Sequence, residues 1–282
     1  MAGKQASSGK KIVTNRRPVG GAFLRWAGSK RKLLPRLLAK APEHFDRYIE
    51  PFAGSACLFF ALRPEEAVLG DINKELIGTY VEIRDRVEEV IERLTHLHRS
   101  ESRYYEMRVI NPDTLPSSDR AVRFIYLNRF CFNGLYRTNL QGQFNVPYGG
   151  SRSGQIPSAE FLRECAVALR GVTLMAASFE DTLSIVRQGD FVYLDPPYCI
   201  RSRRVFNEYS NAAFGSEQLR ALRGHLDRLD QMGVEFLVSY GHSSEALELG
   251  RGFNCRQMVV QRQIAGFATD RRKSREVLIT NF

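Results

Sequence analysis

Along the 282-residue chain, apolar residues form short unbroken runs separated by longer periodic stretches. The short runs predict strands: DRYIEP from 46, AVLGDIN (67–73), 172–177, 190–194, EFLVSY (235–240), MVVQRQI (258–264) and EVLITNF (276–282). Separations of three or four predict the helices between them. KRKLLPRLLAK places Leu33, Leu34, Leu37 and Leu38 on one face, with Ser29 as N-cap and Pro35 confined to the first turn. From Leu76 the apolar positions Tyr80, Ile83, Val87, Val90, Ile91, Leu94 and Leu97 predict one long amphipathic helix. NPDTLPSSD (111–119) interrupts the pattern, and a helix over 119–131 then starts at Ser118 or Asp119. Further helices are expected near 158–169 and 216–232. Residues 133–157 carry Gly134, Gly142, Gly149, Gly150 and Gly154 and read as loop and turn. Strands and helices alternate at both ends, whereas the middle is helical and loop-rich. The expected fold is therefore α/β: a mainly parallel sheet with a second, mainly helical subdomain inserted at 76–165.

Charge adds a partner to this outline. The net charge is +10 and the pI about 9.6, which point to a polyanion. Residues 1–20 are basic and lack periodicity, so a flexible tail is expected there. Five scattered cysteines, with no CxxC pair, argue against a disulfide framework or a zinc site and for a reducing compartment. The N-terminal stretch has no apolar signal core, and no apolar run reaches membrane-spanning length. The expectation is a cytoplasmic protein with no membrane association and no metal.

Four segments carry candidate chemistry. PFAGSA (51–56) is a glycine turn between strand and helix, where backbone N–H groups can approach a ligand. Asp71 ends the next strand at about the 20-residue distance at which an acid holds ribose hydroxyls in nucleotide-binding sheets. Only Gly54 of a dinucleotide fingerprint is present, so a single-nucleoside pocket is expected. In DPPY (195–198), Asp195 lies beyond the carboxyl end of a strand, and Pro196 and Pro197 hold the chain rigid with free carbonyls. With Tyr198 beside them, these acceptors suit a flat ring bearing an exocyclic amine. FLRWAGSKRK (23–32) offers Trp26 as an aromatic wall and Lys30 as a cation for a ligand carboxylate. RFCFNGLYRTNLQGQFNVPYG (129–149) interleaves arginines, asparagines and aromatics in a way that suits base reading by Arg and stacking by aromatic side chains. The clusters Arg201, Arg203, Arg204 and Arg271, Arg272, Lys273, Arg275 suit phosphate contacts. Each segment also has a plain structural alternative: an ordinary strand-to-helix turn, a helix-capping Asp, a packed Trp beside a solvated Lys, or a solvated loop.

In this order, FLRWAGSK, EPFAGSA, GDIN, LNRFCFNGLYR, QFNVPYG, FVYLDPPY and EVLITN resemble the Dam-type DNA adenine-N6 methyltransferases, the alpha or D12 class. The resemblance runs from Phe23 to the C-terminus. It implies a Rossmann-like methyltransferase sheet over 21–75 and 166–282, with target recognition in 76–165. It also implies S-adenosylmethionine as cofactor and adenine N6 in double-stranded DNA as acceptor. Carried over by motif, Trp26, Lys30, Phe52, Gly54, Asp71, Phe179 and Asp195 would line the cofactor site. Asp195, Pro196, Pro197 and Tyr198 would be catalytic. Phe132 would stack or insert, Asn133 would lie beside the vacated base, and Leu135 and Arg137 would meet base edges. Arg25, Asn145 and Pro147 would belong to the same DNA-binding surface. Arg25 stands where the family usually has Lys, Phe132 where it usually has Tyr, and IRSRR follows DPPY in place of shorter side chains. GATC is the expected target, in a prokaryote or phage and associated with the nucleoid. The alternatives are the same chemistry at another motif alongside a restriction endonuclease, or a non-catalytic DNA-binding regulator on this fold.

Overall fold

The structure is a computed structural model that describes residues 21–198, 214–261 and 273–282. The basic tail and the clusters at 201–204 and 271–272 lie outside the described residues. Seven strands form one sheet in the order β3-β2-β1-β4-β5-β7-β6. They are β1 (Tyr48–Glu50), β2 (Ala67–Asp71), β3 (Thr173–Ala176), β4 (Phe191–Leu194), β5 (Glu235–Gly241), β6 (Asn254–Gln261) and β7 (Lys273–Thr280). The first five run parallel, whereas β7 is antiparallel to both β5 and β6. This is the expected Rossmann-like methyltransferase sheet.

Why the strands read as unbroken apolar runs is visible in β4 and β5. Phe191, Tyr193 and Leu237 face one core, while Val192, Leu194, Phe236, Val238 and Tyr240 face another. Both faces are covered, as a parallel sheet requires. On the first face lie helices α1 (Leu34–Leu38), α2 (Cys57–Leu62), α3 (Lys74–Asp85) and α7 (Ala159–Leu169), and on the second α8 (Phe179–Ser184), α9 (Ser216–Gln231) and α10 (Ser244–Leu249). Between α3 and α7 the chain makes an excursion through α4 (Val87–Thr95), α5 (Glu101–Val109) and α6 (Ser117–Phe130), followed by a hairpin. Part of this excursion has its own small core, built from Tyr104, Met107, Tyr126, Phe130, Phe144 and Val146.

Four local expectations are corrected. The single long helix from Leu76 to Leu97 is two, because Arg86 takes a non-helical backbone (φ −138°, ψ 41°). The break swings α4 against α6 and α7 while leaving the three-to-four spacing intact. At the start of α6 the N-cap is Pro116, which makes no side-chain cap bond. Ser118 is buried at the second helical position, and Asp119 pairs with Arg93. Ser29 precedes a short 3-10 turn (Lys30–Lys32) without capping it, and its hydroxyl accepts from Ser55 Oγ at 3.1 Å instead. Strands 254–261 and 273–280 start earlier than the apolar pattern indicates. The four described cysteines are free. Among the described residues no His, Cys, Asp or Glu cluster is placed to hold a metal, and no helix is long and apolar enough to cross a membrane.

Candidate active site

The strand order reverses between β1 and β4, and ligands of open α/β sheets bind beyond the carboxyl ends of strands at such a switch point. β1 ends at Glu50 and leads into the glycine turn; β4 ends at Leu194 and leads into Asp195.

The turn is braced from three sides. Gly54 N–H donates to Asp71 Oδ2 at 3.0 Å, and Tyr80 OH donates to the Gly54 carbonyl at 2.7 Å. The Gly54 backbone is left-handed (φ +46°), and a Cβ there would lie 2.8 Å from Trp26 Cδ1. Only glycine lets the indole lie on the turn. Asp71 Oδ1 accepts from Asn73 N–H at 2.9 Å, and burial raises its pKa while both backbone bonds pull it down. Trp26, Gly54 and Asp71 are thus one constellation. Each Asp71 oxygen retains a lone pair for hydroxyl donors, so these acceptors fit a nucleoside.

Phe52 and Phe179 stack on each other at 5.3 Å, with Phe214 against both. Since their rings already touch, they would border an adenine together from one side and not sandwich it.

At the end of β4 the contacts to Asp195 converge on one oxygen. Lys30 Nζ lies 2.6 Å from Oδ1, and Ser239 Oγ donates to the same atom at 3.1 Å. Ser239 also bonds Tyr193 OH at 2.9 Å, so alternate residues of β4 and β5 on one face carry the network. Among the described residues none bonds Oδ2. Burial pushes the Asp195 carboxyl above its ordinary range, and Lys30 and Ser239 pull it part of the way back. Burial also works against the Lys30 charge, but Asp195, Tyr198 and Glu276 outweigh it and Lys30 stays cationic. Its ammonium also donates to Gly28 O and lies 5.5 Å from the Tyr198 ring centroid.

Tyr198 donates to the buried Glu276 at 3.0 and 3.1 Å. Glu276 on β7 pairs with Gly241 on β5. A Cβ at Gly241 would come within 3.3 Å of the phenol ring, so the missing side chain is what seats the ring on the strand end.

The expected DNA-contacting residues also come together. Phe132 N–H donates to Pro147 O at 2.9 Å, and Thr138 bridges to Phe144, so residues 131–148 fold as a hairpin. Asn133 opens it in the left-handed region (φ +57°), and Leu135 is half-exposed. Arg137 Nε donates to Asn145 Oδ1 at 2.7 Å and Nη2 reaches the Asn145 carbonyl at 3.5 Å, which ties the guanidinium to the opposite arm of the hairpin. Arg25 is tied to the hairpin's base. Its backbone exchanges two bonds with the Asn128 amide, and its guanidinium donates to the carbonyls of Arg129 and Arg152. With Arg25 and Arg31 near it, the half-buried Arg129 has its pKa lowered to about 10, by burial first and then by those two charges.

Ser239, Glu276 and Tyr80 were not expected from sequence. A serine inside the apolar run EFLVSY and an acid opening EVLITNF were the available signals.

A sheet of this order, with a glycine turn after one central strand and a partly buried carboxylate after the next, is consistent with a Rossmann-like methyltransferase. The chain belongs to the D12 class N6 adenine-specific DNA methyltransferases, whose family description matches residues 26–264. It is 35% identical over 269 residues to the Type II methyltransferase M1.LlaDCHI of Lactococcus lactis subsp. cremoris, covering 92% of this chain and 95% of that one. It is 31% identical to the Type II methyltransferase M.MjaIII of Methanocaldococcus jannaschii (92% and 98% covered) and 30% identical to the DNA adenine methylase of Escherichia coli K12 (91% and 94%). The protein is an adenine-specific DNA methyltransferase, and a methyl-donor cofactor follows from that.

Proposed function

We propose that the protein transfers a methyl group from S-adenosylmethionine to adenine N6 in duplex DNA, at GATC, after flipping the base out of the helix. The observation that carries this reading is the asymmetry at Asp195: Lys30 and Ser239 both bond Oδ1, and among the described residues none bonds Oδ2. Oδ2 and the Pro196 carbonyl would supply two acceptors for the two N–H bonds of an exocyclic amine. Accepting from both favours a pyramidal nitrogen whose lone pair is free to attack, which is positioning aimed at the transition state. Tyr198, seated by Gly241 and Glu276, offers its ring to a base that cannot reach the site from within a duplex. Trp26, Phe52, Gly54, Asp71 and Phe179 would hold the cofactor, with Lys30 toward its carboxylate. When bound, S-adenosylmethionine supplies a methyl group activated by the adjacent sulfonium. The segment 76–165 is proposed to read the target, through Phe132, Asn133, Leu135, Arg137, Asn145, Pro147 and the adjoining Arg25. The enzyme would act in the cytoplasm, where the DNA is.

Labelled S-adenosylmethionine with unmethylated duplex DNA should yield N6-methyladenine, and a methylation map of DNA from expressing cells should return GATC. Label on cytosine, or binding without transfer, sinks the reading; another adenine motif overturns only GATC. A second reading is favoured by the Type II names of two relatives: the same chemistry at another motif, paired with a restriction endonuclease.

A further inference from the structure

Tyr136 stands between Leu135 and Arg137, yet it is packed inward, against both the core beneath the sheet and the separate core of the excursion. Its ring stacks on Trp26 at 5.9 Å with an interplanar angle of 18°. The indole's neighbour is Gly54, the residue whose N–H is held by Asp71. The phenol donates to Glu75 Oε1 at 3.3 Å, and the Asn73 side chain lies beside it. Asn73 N–H in turn bonds Asp71. Glu75 is fixed by Arg123, whose Nη1 lies 3.1 Å from Oε2 and whose other donors hold the carbonyls of Met107 and Arg108. One side chain of the hairpin therefore reaches both halves of the glycine-turn constellation. A small, water-sized cavity bounded by Glu75, Arg123, Phe124 and Phe144 adjoins the ring.

We propose that Tyr136 is a positioning residue that couples occupancy of the cofactor turn to DNA readout by the hairpin. A ligand that settles the indole on Gly54 settles Tyr136, and with it the direction of the adjacent Arg137. Coupling between two sites is reciprocal, so DNA must tighten the cofactor by the factor by which the cofactor tightens DNA. The inference rests on the proposed reading that 132–147 contacts DNA.

The test measures the affinity of a short unmethylated duplex carrying the target motif, with and without saturating S-adenosylhomocysteine. The reciprocal titration follows the analogue with and without the duplex. Wild type should show a coupling factor of about fivefold or more in both directions. Tyr136→Leu should bring it below about twofold, while Tyr136→Phe, which keeps the stack, should retain most of it. Lack of coupling in wild type, or wild-type coupling in Tyr136→Leu, overturns the proposal. If Tyr136→Leu does not fold, Trp26, the only tryptophan, reports on the native protein. Its emission must shift when duplex is added to the analogue-bound enzyme, and an unchanged spectrum overturns the proposal as well. An Arg137→Ala variant with unaltered motif and duplex affinity would instead remove the hairpin reading and the coupling with it. A sensitive Arg137 beside an uncoupled wild type removes the coupling alone.

Discussion

Replacing Lys30 by methionine probes the network at Asp195 directly. Lys30 is 5% exposed, and its ammonium bonds Asp195 Oδ1 and Gly28 O. Without it, Asp195 keeps only the Ser239 hydroxyl among its described donors. Breaking one side of a buried pair costs about 3–5 kcal/mol. The Asp195 side chain remains 20% exposed, which brings the expected loss to about 2–3 kcal/mol. Methionine fills the space of the lysine stem, so little of this loss comes from packing.

The pH dependence separates this account from a general loss of fit. Lys30 has its pKa raised, so its contribution to stability is present below the unfolded lysine value of about 10.4 and lost as pH rises through the folded one. It is therefore constant over an ordinary assay range. Asp195 is raised by burial even with Lys30 in place, and removing the cation raises it further. For an acid raised in the fold, stability falls as pH climbs from the unfolded to the folded pKa. The deficit of Lys30→Met should widen with rising pH and narrow on acidification. In the proposed mechanism the ionised Asp195 accepts from the amine, so the acid limb of the methyl-transfer rate should move to higher pH. Denaturant unfolding and initial rates across the same pH series check both. A deficit flat in pH, with an unmoved acid limb, would refute the assignment of Lys30 as the counter-ion of Asp195.

Gly54→Ala puts a methyl 2.8 Å from the indole at a left-handed backbone, so a loss of about 2–4 kcal/mol is expected, with weakened cofactor binding by calorimetry. Glu50 is 2% exposed and raised well above its ordinary range by burial, with a bond from Tyr48 at 2.9 Å opposing the shift. The wild type should lose stability as pH rises above the unfolded glutamate value of about 4.3, at up to about 1.4 kcal/mol per pH unit, until Glu50 is ionised. Glu50→Gln should flatten that slope, and equal slopes in urea titrations would count against it. Arg137→Ala should relax discrimination at one base pair by about 1–3 kcal/mol, read from competition between cognate and singly substituted duplexes.

How much of this could be read from the chain depends on whether the cause is local. Val192 and Leu194 alternate with Phe191 and Tyr193 across a sheet buried on both faces, so an apolar run was a sufficient signal for β4. The break at Arg86 left no trace, because Ile83 and Val87 stay four apart on either side of it. α8 and α10, at six residues each, are too short for a period to show. α5 buries only Tyr104 and Met107 among charged neighbours. In the site, Gly54, Asp71 and Asp195 stood out because each ends or follows a strand. Ser239 and Glu276 meet Asp195 and Tyr198 only through the order β4-β5-β7, a pairing that no local pattern encodes. The role of Tyr136 is hidden in the sequence for a related reason. Its flanking residues Leu135 and Arg137 belong to a motif expected to face DNA, yet extended backbone sends neighbouring side chains to opposite sides. A segment that presents alternate residues to a duplex must turn the others inward. In this fold the inward neighbour meets the tryptophan that lies on the glycine turn, so the hairpin and the turn share one packed contact.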